Sequence, residues 1–201
     1  MSGATRGRVW VVIGARGEGK SVWAAHMARR TRPAIYVDPT RDAPLRGAPV
    51  VTLGTPGDRV AAALRRGMVL HLHCSSASAV LATQAALQVA IRERCSVWID
   101  EAHLVHGRGR ELPELTEAIT AARHHRIDVG LITQAPQALS SQPLHAGCTV
   151  VMFRIPFSGP WLHAYGLDAG AIEALSKAAP HSFLVVEGSR ITGPSRLRLG
   201  R

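Results

Sequence analysis

The sequence predicts an α/β fold, a single domain with a mainly parallel central sheet and helices packed on both of its faces. Three observations carry that expectation. Short apolar runs alternate with longer segments of helical periodicity along most of the chain. The runs are apolar at nearly every position, as strands covered on both faces must be. The 201 residues contain no internal repeat and no low-complexity linker, and such a length suits one domain of about 100–200 residues.

Taken in order, RVWVVIGA (8–15) is a strand that enters a glycine-rich turn, and a helix follows from Gly19 to Arg30. AIYVDP (34–39) is a second strand, stopped by Pro39. Residues 40–57, rich in Pro, Gly and Asp, form a loop around a short extended VVTL. DRVAAALRRG is a helix with Asp58 as N-cap and Gly67 as C-cap. MVLHLHC (68–74) is a strand, and SASAVLATQAALQVAIRER (76–94) is a long helix, apolar around much of its circumference and so packed on a sheet. CSVWIDEA (95–102) is a strand, and Pro113 to Arg126 a helix with proline in its first turn. IDVGLITQ (127–134) and CTVVMFRI (148–155) are strands on either side of APQALSSQPLHAG. A helical region at 160–178 precedes a last strand, SFLVVEG (182–188), which closes a core of about 8–188 before a basic tail, 189–201.

Hydrophobic residues make up 46% of the chain and aromatics only 4%, so the core is expected to consist mostly of Ala, Val, Leu and Ile. The formal net charge of +10 favours a polyanionic partner, nucleic acid first and an anionic membrane surface second. Cys74, Cys95 and Cys148 lie in or beside apolar runs with no paired spacing, and read as buried small hydrophobes of a reducing compartment. MSGATRGR leads straight into a strand without a signal peptide. No apolar segment reaches the ~18–20 residues of a membrane span. The expectation is a soluble intracellular protein, or one packed inside a particle made in the cell.

GARGEGKS, Gly14 to Ser21, fits G-x-x-x-x-G-K-[ST] at every position. The chain has only two lysines, Lys20 and Lys177, and one of them falls inside this stretch, which argues against a chance match. Gly14, Gly17 and Gly19 let the backbone through Ala15, Arg16 and Glu18 turn its N–H groups toward phosphates. The helix behind presents its positive end to the anion. Lys20 reaches the β- and γ-phosphates, and Ser21 supplies an oxygen to Mg²⁺. VWID ends on Asp100, an acid at the end of a buried strand, which suits the Mg²⁺ shell. Glu101, next in sequence, can orient or deprotonate a water. Transfer to a substrate hydroxyl does not need that second group, so the pair argues for hydrolysis. Gln134 ends another strand, at the carboxyl edge where parallel sheets hold their ligands. Its amide can sense a γ-phosphate or the water.

GARGEGKS, YVDP at 36–39, VWIDEAH at 97–103, and AARHHRIDVGLITQAPQAL at 121–139 followed by TVVMFRI at 149–155 resemble the FtsK–HerA superfamily of DNA-pumping ATPases over about residues 8–188. The first motif is common to all P-loop enzymes. The combination of DEAH, an arginine-bearing helix end and a strand ending in TQ-x-P is more specific. The resemblance implies a RecA/FtsK-like P-loop NTPase domain that uses ATP and Mg²⁺. It gives Lys20 and Ser21 to phosphate and metal, Asp100 to the metal shell, the base to Glu101 and the sensor to Gln134. Arg123, with Arg126 as the alternative, becomes an arginine finger for a neighbouring site. The implied assembly is a homo-hexameric ring around double-stranded DNA. The chain has room only for a motor core, so it looks most like the small genome-packaging ATPases of tailless, membrane-containing double-stranded DNA viruses. Their partners are the procapsid or portal vertex, in the host cytoplasm or virion. Zonular-occludens-toxin-like phage ATPases share a similar R-H-x-x-x-D…TQ stretch but usually carry a membrane segment. A small-molecule P-loop kinase is opposed by Glu101, Gln134 and the net charge. A non-catalytic DNA-binding scaffold is opposed by the intact Lys20, Ser21, Asp100 and Glu101.

Two stretches lie outside these motifs. In HLHC, His71, His73 and Cys74 lack a partner cluster and tetrahedral spacing, and read as strand residues. HGRGRE (106–111) reads as a mobile positive loop, in which Arg108 and Arg110 flank Gly109 and are expected to grip DNA phosphates. Arg65, Arg66, Arg190, Arg196, Arg198 and Arg201 would extend that field, on faces the sequence does not define.

Overall fold

A computed structural model describes residues 7–155 and 161–197, apart from the side chain of Arg110. The chain runs β1 (Val9–Ile13), α1 (Lys20–Arg30), β2 (Ala34–Asp38), β3 (Val50–Val51), α2 (Gly57–Arg65), β4 (Val69–His73) and α3 (Ala79–Glu93). It continues through β5 (Ser96–Ile99), β6 (His106–Gly107), β7 (Arg110–Glu111), α4 (Pro113–Thr120), α5 (Ala122–His125) and β8 (Val129–Thr133). The remainder is α6 (Gln142–His145), β9 (Thr149–Phe153), α7 (Trp161–Ala164), α8 (Ala169–Lys177), β10 (Ser182–Glu187) and β11 (Arg190–Arg196).

One sheet takes the strand order β11-β10-β9-β1-β8-β5-β2-β4-β3. Every pairing from β9 to β3 is parallel; β10 runs antiparallel to both β9 and β11, so it is the one reversed strand of this sheet among the described residues. This is the expected α/β fold. Parallel strands bring the segments after β1, β2, β4, β5 and β8 to one edge, the carboxyl edge, and send the helix ends to the other.

The period of two splits the core between the faces. Val9, Val11 and Ile13 join Val37, Leu70, Ile99 and Leu131 beneath α3 and α4. Trp10 and Val12 join Tyr36, Trp98, Ile132 and Phe153 beneath α1. The first face is aliphatic, as composition suggested. The second concentrates aromatics, with Trp23 of α1 packed 5.6 Å from Trp10 and 6.1 Å from Trp98 between ring centroids.

Several expectations are corrected. Asp58 does not cap α2, because Pro56 occupies that position; Asp58 sits in the first turn, where its charge still meets the positive helix end. The helix at 76–94 begins as a 3₁₀ turn, Ser76–Ser78, closed by a capping box from Ser75. The helix at 113–126 breaks at Ala121 into α4 and α5. The helical region after 160 is two helices, and Asp168 caps the second through the Ala171 N–H. The loop 106–111 is a hairpin, with His106 opposite Glu111 and Gly107 opposite Arg110.

The largest correction concerns the tail. Residues after Ser189 form β11, antiparallel to β10, with Glu187 opposite Arg190 across Gly188-Ser189. A Gly-Ser pair between two extended runs is a hairpin signal that the basic composition obscured. Pro194 is tolerated because β11 is an edge strand. Arg198 and Arg201 lie outside the described residues.

Candidate functional site

The carboxyl edge collects the sequence motifs. After β1 the chain turns at Gly17 (φ +81°) and Gly19 (φ +102°) before α1 begins at Lys20. A side chain at either position would be strained. The loop is anchored to the end of β9, where Ala15 N–H donates to the Arg154 carbonyl at 2.8 Å. Lys20 is buried and folds back, its Nζ donating to the Ala15 carbonyl at 2.8 Å. Burial pushes its ammonium below the ordinary lysine range, while Asp100, Glu101 and Glu18 pull it back.

Ser21, on the first turn of α1, meets Asp100 just beyond β5: the hydroxyl donates to Asp100 Oδ2 at 3.0 Å. Tyr36 of β2 donates to the same oxygen at 2.9 Å, and Glu101 N–H donates to Oδ1 at 3.0 Å. Burial nonetheless raises the Asp100 carboxyl above its ordinary value, against the pull of those three donors. A buried carboxylate and a hydroxyl 3.0 Å apart are hard oxygen ligands of the kind Mg²⁺ takes, and a cation would relieve the burial of Asp100. The residues fit the metal.

Glu101 takes a left-handed backbone (φ +48°), which turns its side chain away from Asp100 and toward β8. Its Oε1 accepts from the Gln134 amide. Its Oε2 is buried with no hydrogen-bond donor among the described residues, 3.4 Å from His103 Nδ1. Thr133 Oγ1 lies 3.1 Å from the same His103 nitrogen, so β5 and β8 are joined through His103.

Three residues of this edge were not found from sequence: Tyr36, His103 and Arg154. Tyr36 and His103 lie inside the quoted YVDP and DEAH stretches, but nothing local announces their contacts. Arg154, just after β9, grips the glycine-rich loop of its own chain. Its Nη2 and Nε donate to Glu18 Oε1 at 2.7 and 3.2 Å. Glu18 also accepts from His181 N–H at 3.1 Å. The Arg154 pairing holds the Glu18 carboxyl below its ordinary value although burial opposes it. The acid of this glycine-rich loop is thereby neutralised. Ala15, Glu18, Arg154, Ile155 and Ser176 line a recess of about 250 Å³ beside the loop.

The other sequence-marked residues are placed elsewhere. Gly107 of the 106–111 hairpin bridges Leu139, and Arg108 N–H donates to the Ala138 carbonyl, so the hairpin is tied to the segment that follows Gln134. Arg108 is exposed. Arg110 is placed by its backbone in β7, and its side chain lies outside the described set. Arg123 is exposed on α5, its Cα against Gly7, just ahead of β1. The phosphate loop follows β1, so the length of that strand separates Arg123 from Lys20 of the same chain. Arg126 ends α5 with a left-handed backbone (φ +55°).

His71 and His73 gain a partner the sequence did not show. Asp38 Oδ2 lies 2.8 Å from His71 Nε2, and His71 Nδ1 lies 3.3 Å from His73 Nε2. The same carboxylate accepts from the N–H groups of Thr40, Arg41 and Ala43 and from the Thr40 hydroxyl. These bonds tie down the loop after β2, and Asp38, His71 and His73 bring their ligand atoms within 4.8 Å of one another, a grouping that could hold a metal ion.

No protein-family model matches the sequence, and no curated protein matches it. Solved structures do. The DNA-packaging ATPase B204 of Sulfolobus turreted icosahedral virus superposes with a TM-score of 0.73 at 20% identity, over 96% of this chain and 100% of that one. The genome packaging NTPase B204 of Sulfolobus turreted icosahedral virus 2, in complex with ATP-gammaS, gives 0.69 at 18% identity, over 92% and 95%. EccC of Thermomonospora curvata (ATPases 2 and 3, in complex with a signal sequence peptide) gives 0.53 at 12% identity, over 90% of this chain and 34% of that one. At such identities the likeness establishes the fold.

Proposed function

We propose that residues 1–201 form a single P-loop ATPase domain that hydrolyses ATP with Mg²⁺ and drives double-stranded DNA into a preformed viral capsid as a homo-hexameric ring. The observation that carries this reading is the contact between Ser21 and Asp100, 3.0 Å apart, set directly against the Glu101–Gln134 pair. A hydroxyl–carboxylate pair fit for a metal, beside a carboxylate whose second oxygen accepts no hydrogen bond among the described residues, suits hydrolysis. The near full-length match to B204 supports the packaging role.

In this reading the loop amides of 14–19 and Lys20 hold the phosphates, and Lys20 exchanges its bond to Ala15 for one to the nucleotide. Mg²⁺, held by Ser21 and Asp100, supplies charge neutralisation at the transferring phosphoryl group. Tyr36 fixes the Asp100 carboxylate. Glu101 Oε2 accepts the proton of the attacking water, and Gln134, released from Oε1, registers the γ-phosphate. Because the 106–111 hairpin is tied to the segment after Gln134, that state reaches Arg108 and Arg110, which contact DNA. An arginine from the neighbour, Arg123, completes the charge stabilisation.

Phosphate release measured with and without double-stranded DNA tests the proposal, with Glu101→Gln as the inactive control. Duplex is expected to stimulate turnover. Glu101→Gln should retain nucleotide and lose ~10²–10⁴-fold in rate, as expected for a lost general base. Turnover indifferent to duplex would argue for a different substrate, and near-normal turnover in Glu101→Gln for a different base.

A further inference from the structure

The positive charge of the chain is not spread evenly. Three helices that return to the amino edge of the sheet carry arginine at their ends: α1 Arg29 and Arg30, α2 Arg65 with Arg66 as its cap, and α3 Arg92, just before its last residue Glu93, with Arg94 as its cap. Arginine at a helix C-terminus complements the helix dipole, and that alone explains one such residue per helix. It does not explain a pair at each end, nor Arg46, which stands in a loop.

Three acids at this edge are already engaged. Glu93 is bound by Arg65 at 3.2 Å and Arg92 at 3.1 Å, and Glu187 by Arg8 at 3.5 Å. Buried Asp128 accepts from the N–H groups of Gly7 and Arg8. Between the ends of α1 and α2, Arg29, Arg32, Arg46 and Arg66 surround a recess of about 260 Å³ floored by Gly47, Gly67 and the backbone of 48–49. Among the described residues no acidic side chain lines it. Arg29 Nη2 donates to the Arg46 carbonyl at 3.0 Å, so the loop that carries Arg46 is held against α1 and the recess is preformed.

We propose that this recess, at the amino edge and across the sheet from the nucleotide site, is a phosphate-binding surface that holds the backbone of double-stranded DNA. The occupant rests on the translocase reading; the site rests on the arginines. Arg29, Arg46 and Arg66 bring guanidinium groups to a concave surface with no acidic lining among the described residues, and forked donors of this kind match the paired oxygens of a phosphate. Duplex backbone fits better than a lipid surface. Membrane attachment draws on aromatic insertion beside the charge, and Trp10, Trp23, Trp98 and Tyr36 are all buried in the core, which leaves exposed Val50 as an apolar side chain next to the recess. The surface is separate from the 106–111 hairpin, which stands at the opposite edge.

Arg46→Gln/Arg66→Gln, both exposed and distant from the phosphate loop, tests the site. Binding of a fluorescent duplex is measured from low to moderate salt beside wild type and beside Arg190→Gln/Arg196→Gln, which removes equal charge from β11. Each lost phosphate contact should flatten the slope of log affinity against log salt by about 0.9. The expected result is a slope flatter by about 1–2 and weaker binding in the recess variant only, with ATP turnover in the absence of DNA unchanged. An unchanged slope in a wild type that does bind duplex overturns the recess and leaves the translocase reading standing. An equal loss in the β11 variant reduces the effect to net charge and also overturns it. A wild type that binds no duplex, but binds phosphatidylserine vesicles through Arg46 and Arg66, overturns both the DNA occupant and the translocase reading.

Discussion

Asp100 is 5% exposed and surrounded by three donors, yet burial still raises its carboxyl above the ordinary range. The sign of the consequence is fixed by linkage. A carboxyl whose folded pKa exceeds its unfolded value binds a proton more tightly when folded. Its stabilising contribution is present below the unfolded pKa, about 4, and is lost as pH rises through the folded one. At neutral pH the bare carboxylate therefore strains the fold that Mg²⁺ would relieve. Asp100→Asn should melt no lower than wild type at neutral pH, lose that advantage as the medium approaches about pH 4, and gain no thermal stability from Mg²⁺–nucleotide. Thermal unfolding at several pH values reads all three. A clear drop at neutral pH would mean that the Tyr36 and Ser21 hydroxyls require a charged acceptor. Tyr36 itself shows the limit of local reading. GARGEGKS and VWIDE mark Lys20, Ser21, Asp100 and Glu101 by spacing alone, but the bond from Tyr36 to Asp100 spans 64 positions and the Glu18–Arg154 pair spans 136. Such partners are chosen by strand order, which no local pattern encodes.

The elements themselves were largely legible, because strands covered on both faces must be apolar throughout and helices between them must repeat at 3.6 residues. What periodicity could not supply was which face takes the large side chains. Low aromatic content suggested an aliphatic core, yet the few aromatics gather under α1. The cost appears at Gly130 of β8: a Cβ there would lie 2.1 Å from Cε3 of Trp98 on the neighbouring strand β5. Gly130 is needed for this close approach, and its φ is ordinary. Gly130→Ala should cost about 1–3 kcal/mol, the usual penalty for overpacking. Trp98→Leu vacates the same volume, so the two changes should be strongly non-additive when combined. Equilibrium denaturation of the single and double variants provides the cycle, and simple additivity would mean that the sheet relaxes around the indole. Short polar hairpins were the other blind spot. Two-residue strands such as β6 and β7 have no period to detect, and β11 was hidden by its arginines.

At the scale of the whole molecule, the sheet has two chemically different edges. One carries the glycine-rich loop with Ser21, Asp100 and Glu101, and the other carries the arginines at the ends of α1, α2 and α3. Arg123 stands at the second edge, ahead of β1, while Lys20 stands after it, so within one chain the two cannot meet across a phosphate. A ring of identical subunits built head to tail, each presenting the α5 part of its amino edge to the carboxyl edge of the next and leaving the Arg46–Arg66 recess outside that contact, would remove that separation. An arginine supplied in trans is worth ~10³–10⁵ in turnover. Arg123→Ala should therefore bind nucleotide as wild type does and barely hydrolyse it, with no loss of thermal stability, since its side chain is exposed. Mixing gives the sharper result. Arg123→Ala offers an intact catalytic edge without a finger, and Glu101→Gln offers a finger beside a dead site. Mixed assemblies should recover part of the wild-type rate, rising and falling with the mixing ratio as adjacent pairs form. If subunits are shown to exchange and the mixture stays inactive, Arg123 does not act on its neighbour, and Arg126, three residues closer to β8, is the next side chain to exchange.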